Sequence, residues 1–308
     1  MISYWEAELP AQCKGDFYYD EKTYPIVGDY VTFDYQPFGD SRIVSVCERK
    51  SILKRPFPQD HSVKAALEQQ MVANVDICLI VSSLNKNFSL NRMLRYVAVV
   101  RQGNVTPVVV LTKADLCSEV EEYIRQVKET ISDIDVLAVS AKTGEGEGLK
   151  AFEKYCIPGA TIAFLGSSGV GKSTLINALF GEEILATGEI RETDAKGRHT
   201  TTTRQLLTTK DGITFIDTPG MRELALGDVK DGIDETFSDI VELERCCKFR
   251  NCKHETEPGC AIKEAIAEGS LSKERYAAYR KMQQESDHFF DRKAVALKRR
   301  QIKKNGKR

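Results

Sequence analysis

Residues 166–173 form a glycine-rich segment that fits the phosphate-loop pattern G-x-x-x-x-G-K-[ST]. An apolar, strand-like run at 161–165 precedes this segment, and a helical pattern begins at Lys172. In such a unit, backbone N–H groups and the positive helix terminus can surround phosphate oxygens. The segment therefore predicts an α/β domain in which the loop follows a parallel strand. A chance glycine-rich turn is the alternative, and the flanking strand and helix argue against it.

In phosphate loops of this type, individual residues have defined roles. Lys172 would reach the β- and γ-phosphates, and the hydroxyl of Ser173 would ligate Mg²⁺. Asp217 and Gly220 fit D-x-x-G after another strand-like run, where the carboxylate would hold the metal through water and the glycine N–H would contact the γ-phosphate. The predicted phosphate-side residues are Gly166, Ser167, Ser168, Gly169, Val170, Gly171, Lys172, Ser173, Thr174, Asp217 and Gly220.

Two further segments are candidates for reading the base. Thr112, Lys113 and Asp115 fit the pattern Asn-Lys-x-Asp, with Thr in place of Asn. A carboxylate at Asp115 can accept from N1–H and the exocyclic amine of guanine, a donor pair that adenine lacks, and Lys113 would lie over the ring. The alternative is an ordinary strand-to-helix connection in which Asp115 caps the next helix. The second segment, which would support the base from its other side, is Ser140, Ala141 and Lys142.

The order of these motifs is unusual. Both base-reading segments precede the phosphate loop, whereas in an ordinary GTPase they follow it. This order predicts a circularly permuted P-loop GTPase domain. Across 63–238, continuous apolar runs alternate with helical patterns, which predicts a mostly parallel sheet covered on both faces.

The segments that flank 63–238 predict two further domains in this chain of 308 residues. Residues 1–62 contain β-branched and aromatic runs at 17–19, 30–33 and 42–46, which predict a small β-barrel such as an RNA-binding OB-fold. An SH3-like or purely structural barrel is the alternative. Residues 239–308 predict a helical zinc-binding unit with a basic tail, since 292–308 contains nine Lys or Arg and no acid. The first segment also has a predicted basic edge, formed by Arg49, Lys50, Lys54 and Arg55.

Cysteines and one histidine cluster in the last segment. Three thiols and one imidazole suit a tetrahedral structural zinc ion, and they leave no coordination position for a catalytic water. The start of the chain shows no export signal, so the clustering favours a metal over disulfides. The candidate ligands are Cys252, His254 and Cys260 with either Cys246 or Cys247.

In its motif order, its late Cys/His cluster and the run Gly197-Arg198-His199-Thr200-Thr201-Thr202, the chain resembles the RsgA/YjeQ family of circularly permuted GTPases. The resemblance covers nearly the whole chain. It implies an N-terminal OB-fold, a permuted GTPase domain and a C-terminal zinc domain. It also implies GTP hydrolysis, stimulated by the small ribosomal subunit during late maturation of that subunit, with rRNA bound by the flanking domains. One of the threonines at 200–203 should close on Mg²⁺ when GTP is bound, and the resemblance favours Thr201, with Thr200 next. For the zinc ligand, the resemblance favours Cys247 over Cys246.

The residue that orients the attacking water is not at its usual position. Many GTPases place Gln directly after D-x-x-G, where this chain has the apolar Met221. His199 lies in the loop between the phosphate-loop helix and the next strand, which is the predicted switch loop. It is the candidate catalytic residue, a choice that the family resemblance supports. Its alternative role is an RNA contact from an exposed loop.

Three functions are open to a chain with these features. A ribosome-associated GTPase is favoured over an RNA-binding assembly protein that barely hydrolyses GTP alone. An unrelated P-loop ATPase with a zinc module is the third possibility, against which Asp115 argues. The expected partners are GTP or GDP and the small ribosomal subunit with its rRNA. We expect a cytoplasmic monomer with no membrane partner, since no stretch approaches the ~18 apolar residues of a membrane span.

Overall fold

The structure is a computed structural model of the chain. It describes residues 1–4, 7–18, 24–56, 68–85, 88–131, 133–140, 147–185, 205–217 and 229–305. Within these ranges, no helix combines the length and the apolar character that crossing a lipid bilayer requires.

Short strands make up the first part of the chain. Their bounds are β1 (Ile2–Tyr4), β2 (Ala7–Leu9), β3 (Ala11–Cys13), β4 (Val31–Asp34), β5 (Ser41–Val46), β6 (Ile52–Pro56) and β7 (Glu68–Ala73). Among the described residues these strands fall into three sheets: β1 with β2, β5 between β3 and β4, and β6 with β7. Strands β4 and β5 correspond to the predicted runs at 30–33 and 42–46. The pairing of β6 with β7 joins the two sides of the predicted boundary at 62/63, which itself lies outside the described residues.

The strand predicted at 17–19 is wrong for its first two residues. Gly15–Tyr18 is a 3-10 turn, in which the Phe17 N–H donates to the carbonyl oxygen of Lys14 at 3.1 Å. The side chain of Phe17 is buried. Burial of an aromatic ring within a turn therefore accounts for the apolar run that resembles a strand.

Arg49 does not belong to the predicted basic edge. Its guanidinium donates to both carboxylate oxygens of Asp29 at 2.7 Å, and both side chains are buried. It also donates to Oε1 of Gln70 at 2.6 Å. Because its charge is paired inside the N-terminal region, Arg49 joins the turn before β4 to β7 instead of facing solvent.

Strands and helices alternate through the centre of the chain. They are β8 (Ile77–Ser83), α1 (Leu90–Gln102), β9 (Thr106–Thr112), α2 (Val120–Thr130), β10 (Asp135–Val139), α3 (Glu147–Lys150), β11 (Thr161–Leu165), α4 (Lys172–Phe180), β12 (Gln205–Thr208) and β13 (Thr214–Asp217). Together the strands form one sheet in the order β10-β9-β8-β11-β13-β12, in which only β12 runs antiparallel to its neighbour. The order reverses between β8 and β11, where ligands of doubly wound sheets usually bind.

Both faces of this sheet are covered. In β8, Cys78 and Ile80 pack with residues of α1 and α2, whereas Leu79 and Val81 pack with residues of α4 on the opposite face. Alternate residues of one strand therefore enter two separate apolar layers. The predicted mostly parallel, doubly covered sheet is confirmed.

Four helices complete the described chain. They are α5 (Lys230–Thr236), α6 (Ser238–Arg245), α7 (Ala261–Glu268) and α8 (Lys273–Asn305). Helix α5 packs closely on α1, because a Cβ atom on Gly232 would lie 2.0 Å from the carbonyl oxygen of Ala98. The predicted boundary at 238/239 falls at the start of α6.

Arg275, in the first turns of α8, joins this helix to three other elements. Its guanidinium donates to the two carboxylate oxygens of Asp239 at 2.6 and 2.9 Å. It also donates to the carbonyl oxygens of Thr236, at 3.2 Å, and Thr130, and it lies 4.9 Å from the ring centroid of Phe237. Arg275 is thus a buried cation that helps to anchor the C-terminal helices to the α/β domain.

Candidate nucleotide site and metal centre

The predicted base-reading and phosphate-binding segments meet at one edge of the sheet. Residues 112–115 begin at the end of β9, Ser140 follows β10, the phosphate loop follows β11, and Asp217 ends β13. These four strands run parallel, so their carboxyl ends lie on the same side. Segments whose order in the chain is permuted are therefore brought to one site.

The conformation of the phosphate loop requires glycine. Gly169 and Gly171 have φ angles of 74° and 93°, a region that L-residues rarely adopt. At Gly166, with φ of 153°, a Cβ atom would lie 2.4 Å from the carbonyl oxygen of Val81. The loop thus passes against the end of β8 so closely that no side chain fits at 166.

Lys172 lies over the loop that precedes it. Its Nζ donates to the carbonyl oxygens of Gly166 and Ser167, both at 2.8 Å. The ammonium group is therefore already at the concave side of the loop. Exchange of these carbonyl oxygens for phosphate oxygens would place it on a bound nucleotide, and Ser173 follows it in the first turn of α4.

Thr112 has a role that the sequence motif did not indicate. Its side chain is buried, and its hydroxyl donates to the carbonyl oxygen of Val170 at 2.5 Å. This bond fastens the phosphate loop to the end of β9. The structure thus uses the residue that replaces Asn in the predicted base-reading segment to connect the two halves of the site.

The two base-reading segments are also connected to each other. The hydroxyl of Ser140 donates to Oδ1 of Asp115 at 2.8 Å, and the side chain of Asp115 is exposed. Lys113, at the turn out of β9, has a left-handed φ of 61°. This arrangement orients the Asp115 carboxylate from the side of β10.

Asp217, the predicted metal-side residue, is buried at the end of β13, where it is the register partner of Phe164 in β11. It therefore lies beside the strand that carries the phosphate loop. The remaining residues predicted for the nucleotide site lie outside the described residues. These are Ala141, Lys142, His199, Thr200, Thr201 and Gly220, together with Met221.

A second candidate site lies between α6 and α7. The ligand atoms of four side chains lie within 4.8 Å of one another there: Cys247, Cys252, His254 and Cys260. The geometry is consistent with a tetrahedral ion, because Nδ1 of His254 is 3.6 Å from Sγ of Cys247 and 3.4 Å from Sγ of Cys260. Zinc bonds of about 2.3 Å to sulfur and about 2.0–2.1 Å to nitrogen would separate these atoms by about 3.5 Å. The cluster contains Cys247, while the adjacent Cys246 is exposed.

Polar groups around the cluster orient its ligands. Nε2 of His254, the nitrogen that faces away from the thiols, lies 3.5 Å from Oε1 of Glu244. The other carboxylate oxygen of Glu244 accepts from the hydroxyl of Tyr279 on α8 at 3.1 Å. A carboxylate behind a ligating histidine is a common support of zinc sites. Neither supporting residue has a recognisable sequence spacing, so only the structure identifies them.

Glu257 fixes the backbone of the loop that carries His254. Its carboxylate accepts from the backbone N–H groups of Lys253, Glu255 and Thr256, each at 3.0 Å. The bonds from the backbone, led by that from Lys253, lower the pKa of Glu257 to about 2. The loop is therefore held by an ionised carboxylate at neutral pH.

Known proteins resemble the chain over most of its length. The profile of the family described as RsgA GTPase matches residues 46–227. The small ribosomal subunit biogenesis GTPase RsgA 2 of Vibrio vulnificus is 43% identical over 282 residues, which are 91% of this chain and 77% of the relative. The small ribosomal subunit biogenesis GTPase RsgA of Methanosarcina acetivorans is 40% identical over 276 residues, 89% of this chain and 73% of the relative.

Two solved structures share the architecture. YjeQ from Thermotoga maritima superimposes with a TM-score of 0.63 at 28% identity, covering 91% of this chain and 88% of that one. The structure titled YloQ, a circularly permuted GTPase, gives a TM-score of 0.59 at 26% identity, covering 90% and 87%.

The sheet order, the phosphate loop that follows the candidate base-reading segments, and the match to the RsgA GTPase family define a circularly permuted P-loop GTPase, an enzyme that hydrolyses GTP. Within that class, the chain belongs to the RsgA GTPase family. The predicted family and enzyme class are confirmed.

Proposed function

We propose that this GTPase acts in late maturation of the small ribosomal subunit and that the subunit stimulates its GTP hydrolysis. The observation that carries the proposal is the single site formed by permuted segments, in which Thr112 bonds to the phosphate loop and Ser140 bonds to Asp115. The names of the relatives, small ribosomal subunit biogenesis GTPases, supply the biological process. We further propose that the protein works as a cytoplasmic monomer.

In this proposal, guanine is bound by Thr112, Lys113 and Asp115. Ser140, Ala141 and Lys142 support the base from its other side. The phosphates lie in the loop Gly166, Ser167, Ser168, Gly169, Val170, Gly171, Lys172, Ser173 and Thr174, with Gly220 at the γ-phosphate. Ser173, Thr201 and Asp217 would hold Mg²⁺, and buried Asp217 at the strand beside the loop fits that role. When bound, the ion would neutralise charge that develops on the phosphate oxygens.

His199 would position the attacking water, since Met221 has no polar group for that task. We expect His199→Ala to lower subunit-stimulated turnover by roughly 10²-fold or more, as for a positioned water-orienting or acid–base group. GTP affinity should change little, so the variant should remain GTP-bound on the subunit. The control is His288→Ala, which removes an exposed histidine on α8 and should leave stimulated turnover as in wild type. Normal stimulated turnover of His199→Ala would assign the water to another residue or to the ribosome.

The flanking regions would provide the contacts with rRNA. We propose that 1–62 is an OB-fold barrel and that 239–308 is a zinc-stabilised helical domain. Exposed aromatic side chains around β4 and β5 support an RNA-binding surface, because they can stack on unpaired bases. They are Tyr30, Tyr35 and Phe38, of which Phe38 is 94% exposed. The zinc ion at Cys247, Cys252, His254 and Cys260 would be structural and could contribute about 10–16 kcal/mol to local folding.

The test is GTP turnover by the purified protein with and without purified small ribosomal subunits. Large subunits at the same concentration control for general effects of rRNA. We expect slow intrinsic turnover, a rise of at least tenfold with small subunits and no comparable rise with large ones. If small subunits bind the protein and leave turnover unchanged, the chain is better described as an RNA-binding assembly protein that uses GTP only for affinity.

A further inference from the structure

A basic residue outside the known motifs contacts the phosphate loop. Arg92 lies in the first turn of α1, and its Nη1 donates to the hydroxyl oxygen of Ser167 at 3.1 Å. Ser89 caps this turn by accepting from the backbone N–H of Arg92. Strand β8 precedes α1 and is the sheet neighbour of β11. The start of α1 therefore lies beside the loop that follows β11.

Ser167 is held by two cations through different atoms. Its hydroxyl accepts from Arg92, while its carbonyl oxygen accepts from Nζ of Lys172 at 2.8 Å. To reach the phosphates, Lys172 must release the carbonyl oxygen of Ser167, whereas the bond from Arg92 to the Ser167 hydroxyl can persist. The first turn of α1 has no acidic residue, so the guanidinium and the helix terminus both add positive potential beside the loop.

We propose that Arg92 is a positioning residue for nucleotide binding, which holds Ser167 and so keeps the phosphate loop in shape when Lys172 moves from the loop carbonyls to the phosphates. A loop that is already ordered loses less conformational entropy when it binds its ligand. The proposal rests on guanine-nucleotide binding in the proposed function and does not depend on stimulation by the ribosomal subunit.

The test combines a double-mutant cycle with intrinsic kinetics in the absence of ribosomes. We expect Arg92→Ala and Ser167→Ala each to weaken binding of fluorescent GDP by about 5- to 20-fold, the range for loss of a partly exposed, charge-assisted hydrogen bond. The double variant should bind no more weakly than Arg92→Ala, because both changes remove one bond. The KM for GTP should rise while kcat stays within about twofold. Arg92→Lys should recover only part of the affinity, since lysine lacks the planar fork.

The control is Arg95→Ala. Arg95 lies on the same helix as Arg92, but its guanidinium contacts the carboxylate of Glu285 on α8 at 2.6 Å instead of the phosphate loop. This variant should bind GDP as wild type does. Wild-type affinity of Arg92→Ala, or losses that add in the double variant, would overturn the positioning role. If wild-type protein fails to bind GDP at all, the proposed function fails as well, so the two failures are distinguishable.

Discussion

Replacement of Arg275 by methionine should loosen the attachment of the C-terminal helices. The change keeps the apolar stem of the side chain and removes its charge. It deletes two bonds to Asp239 and the donors to the carbonyl oxygens of Thr130 and Thr236. Loss of one partner of a buried ion pair costs roughly 3–5 kcal/mol. The Asp239 side chain is 43% exposed and can regain water, so we expect a smaller loss, about 2–4 kcal/mol.

Hydrogen exchange measured by mass spectrometry locates this loss. In Arg275→Met, backbone amides of α6 and of the first turns of α8 should exchange about 30- to 1000-fold faster, which is the same free-energy range expressed as an equilibrium constant. Amides of β8 and β11 in the central sheet should be unaffected. Lys281→Met, an exposed cation on the same helix, is the matched control.

The pH dependence follows from the ion pair. Burial by itself would raise the pKa of Asp239, but hydrogen bonds from Arg275 and its charge outweigh this and lower the pKa below its ordinary value of 3.8. A carboxyl group with a lowered folded-state pKa contributes stability above its unfolded pKa, and this contribution is lost as pH falls through the folded value. The difference between wild type and Arg275→Met should therefore shrink below about pH 4. An equal difference at pH 7 and pH 3, or unchanged exchange in α6 and α8, would refute this reasoning.

Three further predictions concern the two sites. Asp115→Asn should weaken GTP binding and gain affinity for xanthosine triphosphate, because an amide can donate where the carboxylate accepted; full GTP affinity without that gain would contradict the base-reading role. Gly166→Ala should abolish measurable GDP binding because its Cβ would clash with the backbone of Val81, whereas Gly15→Ala, with open space around it, should bind normally in the same titration. Metal analysis should find about one zinc per chain, and Cys252→Ser should lose it and loosen residues beyond 238 while GDP binding persists; metal-free wild-type protein purified without chelator would remove the zinc assignment.

The α/β domain and its site could be predicted because their signals are local. Continuous apolar runs define buried parallel strands, and the strand predicted at 161–165 and the helix start predicted at Lys172 agree with β11 and α4. The phosphate loop and residues 112–115 carry fixed residue types at fixed spacing, and parallel strands necessarily deliver both to one edge of the sheet. The Cys/His spacing likewise predicted Cys252, His254 and Cys260 with one of two adjacent cysteines, and the structure places Cys247 in the cluster, as the family resemblance favoured.

Features that depend on long-range contacts could not be read from the sequence. Arg49 lies in a basic stretch that matches no known motif, and only the tertiary structure shows that it pairs with Asp29. The bond from Thr112 to the phosphate loop joins residues 58 positions apart in the chain, so no local pattern indicates it. The bounds of helices α5 and α6 were not predicted, since these short segments become helical by packing: α5 contacts α1 and α8, and α6 contacts α7. Arg92 and Arg275 have no sequence signature, because their partners lie far away along the chain.

The central claim is that segments in permuted order form one guanine-nucleotide site. A crystal structure of the protein with Mg²⁺ and a non-hydrolysable GTP analogue tests it most directly. We predict that the Asp115 carboxylate accepts from N1 and the exocyclic amine of guanine within about 3.2 Å. The phosphates should lie in the loop at 166–173, with Lys172 Nζ transferred from the loop carbonyls to phosphate oxygens. Guanine bound away from Asp115, or phosphates held outside that loop, would contradict the claim.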